Sequence, residues 1–145
     1  MISTSRITRN DLPGLKNLYE KGFGGSETNL QKMSEIFETI ENNQDYQVIV
    51  AKSEDRVVGS VLGVICKELF GTCQPFMVIE DVVVLPDYRR QGIARQLMIR
   101  IEELARENLC SMILFVSSEH RTGAHKLYES LGYGADKVNG YRKRL

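Results

Sequence analysis

The tightest constraint on the fold lies between Met77 and Val116, where two extended segments flank one long amphipathic helix. "MVIEDVVVLP" (77–86) is rich in β-branched residues and stops at a proline, the pattern of a strand. A helix from about Gln91 to Asn108 places Ile93, Ala94, Leu97, Met98, Ile101, Leu104 and Ala105 along one side. "SMILFV" (111–116) is extended again. A helical crossover between two strands makes them parallel neighbours with a right-handed connection.

Upstream, alternation predicts a short strand over 2–8 and a hairpin of "YQVIVAK" (46–52) and "RVVGSVLGVIC" (56–66) about the turn "SED". Strands joined by short turns run antiparallel, so the sheet is mixed. Two helices lie between these segments. The first opens at Asp11 as a cap, tolerates Pro13 at its start and carries Leu12, Leu15, Leu18 and Tyr19. "GFGG" (22–25) breaks it, and the second carries Leu30, Met33, Ile36, Phe37 and Ile40. "KELFGTCQPF" (67–76) is a loop or hairpin tip. Downstream, a helix over 122–131 carries Ala124, Leu127, Tyr128 and Leu131 and ends at Gly132 and Gly134. "NGYRKRL" (139–145) predicts a last strand. The order β-α-α-β-β-β-α-β-α-β describes an α/β (α+β) chain: a mixed, mostly antiparallel sheet with one parallel strand pair and helices on both faces. With 145 residues and no repeat or linker, one domain over 1–145 is expected.

Composition narrows the function classes. Lys plus Arg number 19 and Asp plus Glu 19, so the formal net charge is zero. A protein built to coat nucleic acid is usually basic, so no nucleic-acid partner is expected. Cys66, Cys73 and Cys110 make an odd set without CxxC spacing, which argues against a disulfide framework and against a metal site. No apolar run is long enough to span a bilayer and "MISTSRITRNDL" has no signal-peptide core, so no membrane partner is expected and a cytoplasmic location is.

The junction "VVVLPDYRRQGIARQL" (82–97) carries the chemistry. The first amide N–H groups of a helix lack internal partners and sit at the positive end of its dipole, a place suited to phosphate. Gly92 has no Cβ to keep a ligand from the backbone, and Arg89, Arg90 and Arg95 add positive charge. Neither GxxxxGK[ST] nor GxGxxG is present. The plainer reading is a glycine that relieves a tight turn beside solvated arginines.

"RRQGIA" fits Arg/Gln-x-x-Gly-x-Gly/Ala, with Arg89, Gly92 and Ala94 in the marked places, and "AHKLYESLGY" follows downstream. Together with "VVVLPDY" these segments resemble the GNAT superfamily of N-acetyltransferases, strongly from about Met77 to Tyr133 and by element order alone before that. The resemblance implies a parallel strand pair that splays apart, and acetyl-CoA as cosubstrate with no metal. It implies that the backbone of Arg90, Gln91, Gly92, Ile93, Ala94 and Arg95 binds the pyrophosphate, with Arg89 beside it. Val82, Val83 and Val84 would pair with the pantetheine arm as an added strand does. Tyr128 takes the place of the family tyrosine, which protonates or hydrogen-bonds the departing thiolate. On packing grounds alone, Tyr128 is a core residue of an amphipathic helix.

An acceptor ammonium must lose a proton before it attacks. Glu80 interrupts an apolar strand, shares a face with Val82 and Val84 by alternation, and is the candidate base, with ordered water as the alternative. Relatives often carry an asparagine seven residues before the tyrosine; here Arg121 stands there, a departure that redirects it toward cofactor phosphate. His125 reads as a structural residue beside the helix stripe and His120 as a loop residue. The first two helices, the loop between them and residues 67–76 would form the acceptor pocket.

Three functions fit: direct acetyl transfer to a small-molecule primary amine, the same chemistry on a protein lysine or N-terminus, and a non-catalytic acyl-CoA sensor. Edge pairing of the last strand is compatible with a homodimer.

Overall fold

The computed structural model describes residues 1–145. Its elements follow in the order β1 (Ile2–Arg6), α1 (Leu12–Phe23), α2 (Leu30–Ile40), β2 (Tyr46–Ser53), β3 (Arg56–Cys66), β4 (Phe76–Val84), α3 (Ile93–Glu107), β5 (Ile113–Leu114) and α4 (Thr122–Ser130). Short 3-10 turns precede α1 (Arg9–Asp11) and follow β4 (Pro86–Tyr88). Contacts divide the chain into two compact units, Met1–Leu114 and Phe115–Leu145. No helix is long and apolar enough to cross a membrane.

The first unit holds a five-stranded sheet in the order β1-β2-β3-β4-β5. β1 to β4 pair antiparallel, as their short connections require. β4 and β5, joined through α3, run parallel, with Met77 opposite Ile113 and Val78 opposite Leu114. α1 and α3 cover opposite faces. A Cβ on Gly63 would stand 2.8 Å from Ile101 Cδ1 of α3, and one on Gly22 of α1 would stand 2.3 Å from Val83 Cγ2. Gly63 lies opposite Ile79, and Val83 lies opposite Ser60, an odd number of positions along β3 from Gly63. Odd separation along a strand means opposite faces.

The apolar stripe expected for α3 is buried: Ile93, Leu97, Met98, Ile101, Leu104 and Ala105. α1 buries Leu12, Leu15 and Leu18. α2 buries only Phe37, while Ile36 is exposed. Asn29 caps α2, its side chain accepting from Lys32 N at 2.9 Å. Asp11 precedes α1 without capping it. Its carboxylate instead accepts from Thr8 N at 2.8 Å and Thr8 Oγ1 at 3.0 Å, and pairs with Lys52 Nζ at 2.6 Å.

Two expected strands are cut back. The segment 111–116 forms a ladder only at Ile113–Leu114. "NGYRKRL" forms no strand, and Tyr141 and Leu145 are fully exposed. A strand needs an apolar side to bury, and this basic tail offers none that is covered. In the second unit the tail runs close to Val116, where a Cβ on Gly140 would stand 2.4 Å from Val116 Cγ1. The same unit buries Tyr128 against Phe115 and Tyr133, with ring centroids 4.7 and 6.4 Å away.

Candidate functional site

Past Val78, β4 continues from Ile79 to Val84 with no ladder to β5. β5 stops after Leu114, so beyond Val78 no strand of the sheet pairs with the side of β4 facing away from β3. Val82, Val83 and Val84 are buried here and fix the strand by their packing. Leu85 N–H donates to Val58 O at 2.8 Å, so alternate groups, those of Val82 and Val84, face away from β3.

β4 does not keep one register. Gly59 and Ser60 lie opposite Val84 and Val83, but Leu62 lies opposite Glu80, which leaves Asp81 and Val82 facing Val61 alone. This is a β-bulge, and Asp81 carries it with φ +56°. The bulge overturns the expectation that Glu80 shares a face with Val82 and Val84. An extra residue reverses the alternation, so Glu80 shares a face with Val83, on the α1 side. Both Glu80 and Asp81 are exposed.

Asp81 and Tyr19 are the residues that sequence reasoning passed over as site members. Crowding by neighbouring protein atoms pushes the Asp81 carboxyl above the usual carboxylate range, and no cation offsets it. Tyr19 of α1 is held above the ordinary phenol range by burial and then by the Asp81 charge, while polar contact with Ser60 acts in the opposite sense. Ser60 is fully buried and donates its hydroxyl to Ile49 O at 3.1 Å. An acid beside a run of valines was the available signal; that Asp81 would occupy a left-handed bulge was not visible.

The turn after β4 is shaped by two left-handed residues, Arg90 (φ +61°) and Gly92 (φ +79°). Gly92 is the N-cap of α3, no side chain caps the helix, and nothing lies within 4 Å of where a Gly92 Cβ would stand. Arg90, Gln91 and Arg95 are exposed around it, Ile93 anchors the first turn in the core, and Ala94 is half-buried. An open, uncapped helix tip with flanking arginines fits a diphosphate. Gln91 Nε2 donates to Asp87 O at 3.3 Å, tying the turn to itself. Arg89 is used differently. Its Nε donates to Val84 O at 3.1 Å and its Nη2 to Gly22 O at 2.9 Å.

In the second unit, burial pushes the Tyr128 phenol up, partly opposed by the Arg121 charge. Tyr128 is therefore protonated at neutral pH and able to donate. His125 Nε2 lies 2.9 Å from Ser118 O, so that nitrogen carries the proton and staples the loop. Ser117 Oγ is buried without a hydrogen-bond partner. The acids near the α1–α2 loop are paired: Glu20 with Lys16 at 2.6 Å, Glu27 with Lys16 at 3.4 Å, Glu38 with Arg9 at 3.5 Å. A polar cleft of about 510 Å³ lies elsewhere, lined by Arg6, Gln47, Arg100 and Asn108 among others. Arg6 donates there to Gln47 and three backbone carbonyls, and Arg100 pairs with Glu103 and Glu107.

The family profile described as "Acetyltransferase (GNAT) family" matches residues 12–133. The aminoglycoside N(6')-acetyltransferase type 1 of Salmonella typhimurium strain LT2 is 30% identical over 71 residues, 48% of this chain and 49% of that protein. The chain thus matches about half the length of this curated relative. A solved structure from Agrobacterium tumefaciens str. C58 superposes with TM-score 0.88 at 26% identity, covering 99% of each chain. That of an aminoglycoside N-acetyltransferase, AAC(6')-Iy, in complex with CoA shares the fold with TM-score 0.80 at 20% identity, over 100% of this chain and 96% of that one. With the profile matched across most of the chain and the mixed sheet, short parallel ladder and uncapped α3 tip in place, the chain belongs to the acetyltransferase (GNAT) family.

Proposed function

We propose that the protein moves an acetyl group from acetyl-CoA directly to a primary amine of a small molecule. The observation that carries this reading is the uncapped tip of α3 at Gly92, open to a diphosphate and continuous with the unladdered stretch of β4. Amides of Gln91 to Arg95 bind the pyrophosphate, and the edge of β4 beyond its ladder with β5, short of the Val84 O that Arg89 holds, aligns the pantetheine.

The acceptor arrives as an ammonium and gives a proton to a carboxylate of the bulge or to water bound there. Glu80 lies on the α1 face and Asp81 at the bulge itself, the second with a carboxyl already biased toward holding a proton. The free amine nitrogen attacks the thioester carbonyl carbon, the carbon–sulfur bond breaks, and the thiolate takes a proton from the Tyr128 hydroxyl. The nitrogen sheds its second proton, which restores the Tyr128 phenol, leaving an N-acetyl amine, coenzyme A and one net proton. The relatives named as aminoglycoside N(6')-acetyltransferases support an amino sugar as acceptor class.

The experiment is thiol release from acetyl-CoA across a panel of amino sugars, polyamines, amino acids and lysine peptides. Release that depends on an amino sugar carries the reading. Coenzyme A binding without acceptor-dependent release replaces it with a sensor.

A further inference from the structure

We propose that Arg89 is a positioning residue that couples the cofactor turn to the loop between α1 and α2, and is not itself a phosphate ligand. This rests on the reading of the Gly92 turn as the coenzyme A site.

The guanidinium is committed to two carbonyls, Val84 O at 3.1 Å and Gly22 O at 2.9 Å. The first belongs to the end of β4. The second belongs to the last turn of α1, where helix carbonyls have no internal partner and a cation is favoured. Direct contact reinforces the link: a side chain on Gly22 would collide with Val83 Cγ2 at 2.3 Å. The backbone of α1 therefore rests on β4 at the point where Arg89 joins them.

From there the α1–α2 loop departs through Gly24 (φ +73°) and Gly25 (φ +87°). It returns to α1 at Thr28, whose N–H donates to Glu20 Oε2 at 2.7 Å; Lys16 holds the same oxygen at 2.6 Å. Both ends of the loop are thus fastened to α1, and the end of α1 is fastened through one side chain to the turn that precedes Gly92. An anion seated on that turn restricts Arg89, and through Gly22 O it restricts the loop. Occupancy of the turn should then be felt at residues 22–28 without any ligand touching them.

The test compares wild type with Arg89→Met and Arg89→Leu, neither of which carries a donor for the two carbonyls. Coenzyme A affinity is read by calorimetry and amide exchange of residues 22–28 by mass spectrometry, with and without coenzyme A. In the wild type, coenzyme A slows exchange at 22–28. In both variants the slowing is lost while affinity stays within about threefold, the size of a modest coupling. Affinity lower by tenfold or more, roughly the loss of a charged phosphate contact, would make Arg89 a ligand and overturn the proposal. Slowing that persists in both variants overturns it as well. Absence of coenzyme A binding by the wild type removes the functional reading instead, a distinct result that takes the coupling with it.

Discussion

Glu80 and Val83 project from the same face of β4 although they stand three positions apart, because Leu62 and Ser60 stand opposite them across the bulge. The bulge brings an acid onto the α1 side and leaves a second acid, Asp81, in a left-handed conformation beside Tyr19. Side chains that alternation would have set apart are thereby brought together at one end of the open strand.

Asp81→Asn should separate stability from turnover. Asn adopts positive φ readily, so the bulge survives. The Asp81 carboxyl titrates above its unfolded range, so the folded state favours the protonated form. Stability associated with this group is therefore greatest at low pH and declines as pH rises through the raised folded pKa. The neutral variant should melt at the same or a higher temperature than wild type at pH 7 and lose that advantage near pH 3. Its kcat/KM for the amine should fall about tenfold or more if Asp81 handles the ammonium, against little change in coenzyme A affinity. Glu80→Gln run in parallel decides which acid takes the proton.

Tyr128→Phe should lower kcat by about 100-fold, within the usual range for a positioned acid, and leave coenzyme A affinity nearly unchanged. Burial raises the Tyr128 pKa from 10.0, so the phenol stays protonated through that pH. Wild-type turnover should accordingly show no alkaline loss from this group at the ordinary phenol pKa. A steady-state pH profile checks this, and unchanged turnover in the variant would remove Tyr128 from the mechanism.

Gly92→Val tests the helix tip. A β-branched residue at φ +79° is strained by about 1–2 kcal/mol, and its side chain would fill space that is now open. Coenzyme A affinity measured by calorimetry should fall by more than tenfold, about 1.4 kcal/mol. The melting temperature should drop by only a few degrees, on the order of 4 °C.

Asp11→Ala should be costly far from the site. Burial alone would raise the Asp11 carboxyl, but the Lys52 ammonium and the Thr8 donors outweigh it and the pKa is lowered. A lowered folded pKa gives stability that is present above 3.8 and lost as pH falls through the folded value. Urea denaturation at pH 7 should show a loss of about 3 kcal/mol, because Lys52 is left without its partner. The difference from wild type should shrink toward pH 2.

Much of this was readable in the chain, for physical reasons that differ by element. The stripe of α3 was legible because each apolar position matched the helical period, and the parallel pair because a helical crossover allows little else. The face of Glu80 was not. A bulge in β4 is defined against β3, and Asp81 takes positive φ without a glycine to announce it. The charge of Arg89 was plain, but not that Gly22 O and Val84 O would engage it, since Gly22 is distant in sequence. "NGYRKRL" reads as a last strand by its place in the element order, yet order alone does not supply something to pair with.

The brevity of β5 has an effect on binding thermodynamics. On either side of the Asp81 bulge, the main chain from Ile79 to Val84 is already packed and held by β3, so its disorder was given up when the protein folded. A peptide-like arm that docks there meets a rigid template and surrenders chiefly its own freedom, so a modest set of amide contacts can yield useful affinity.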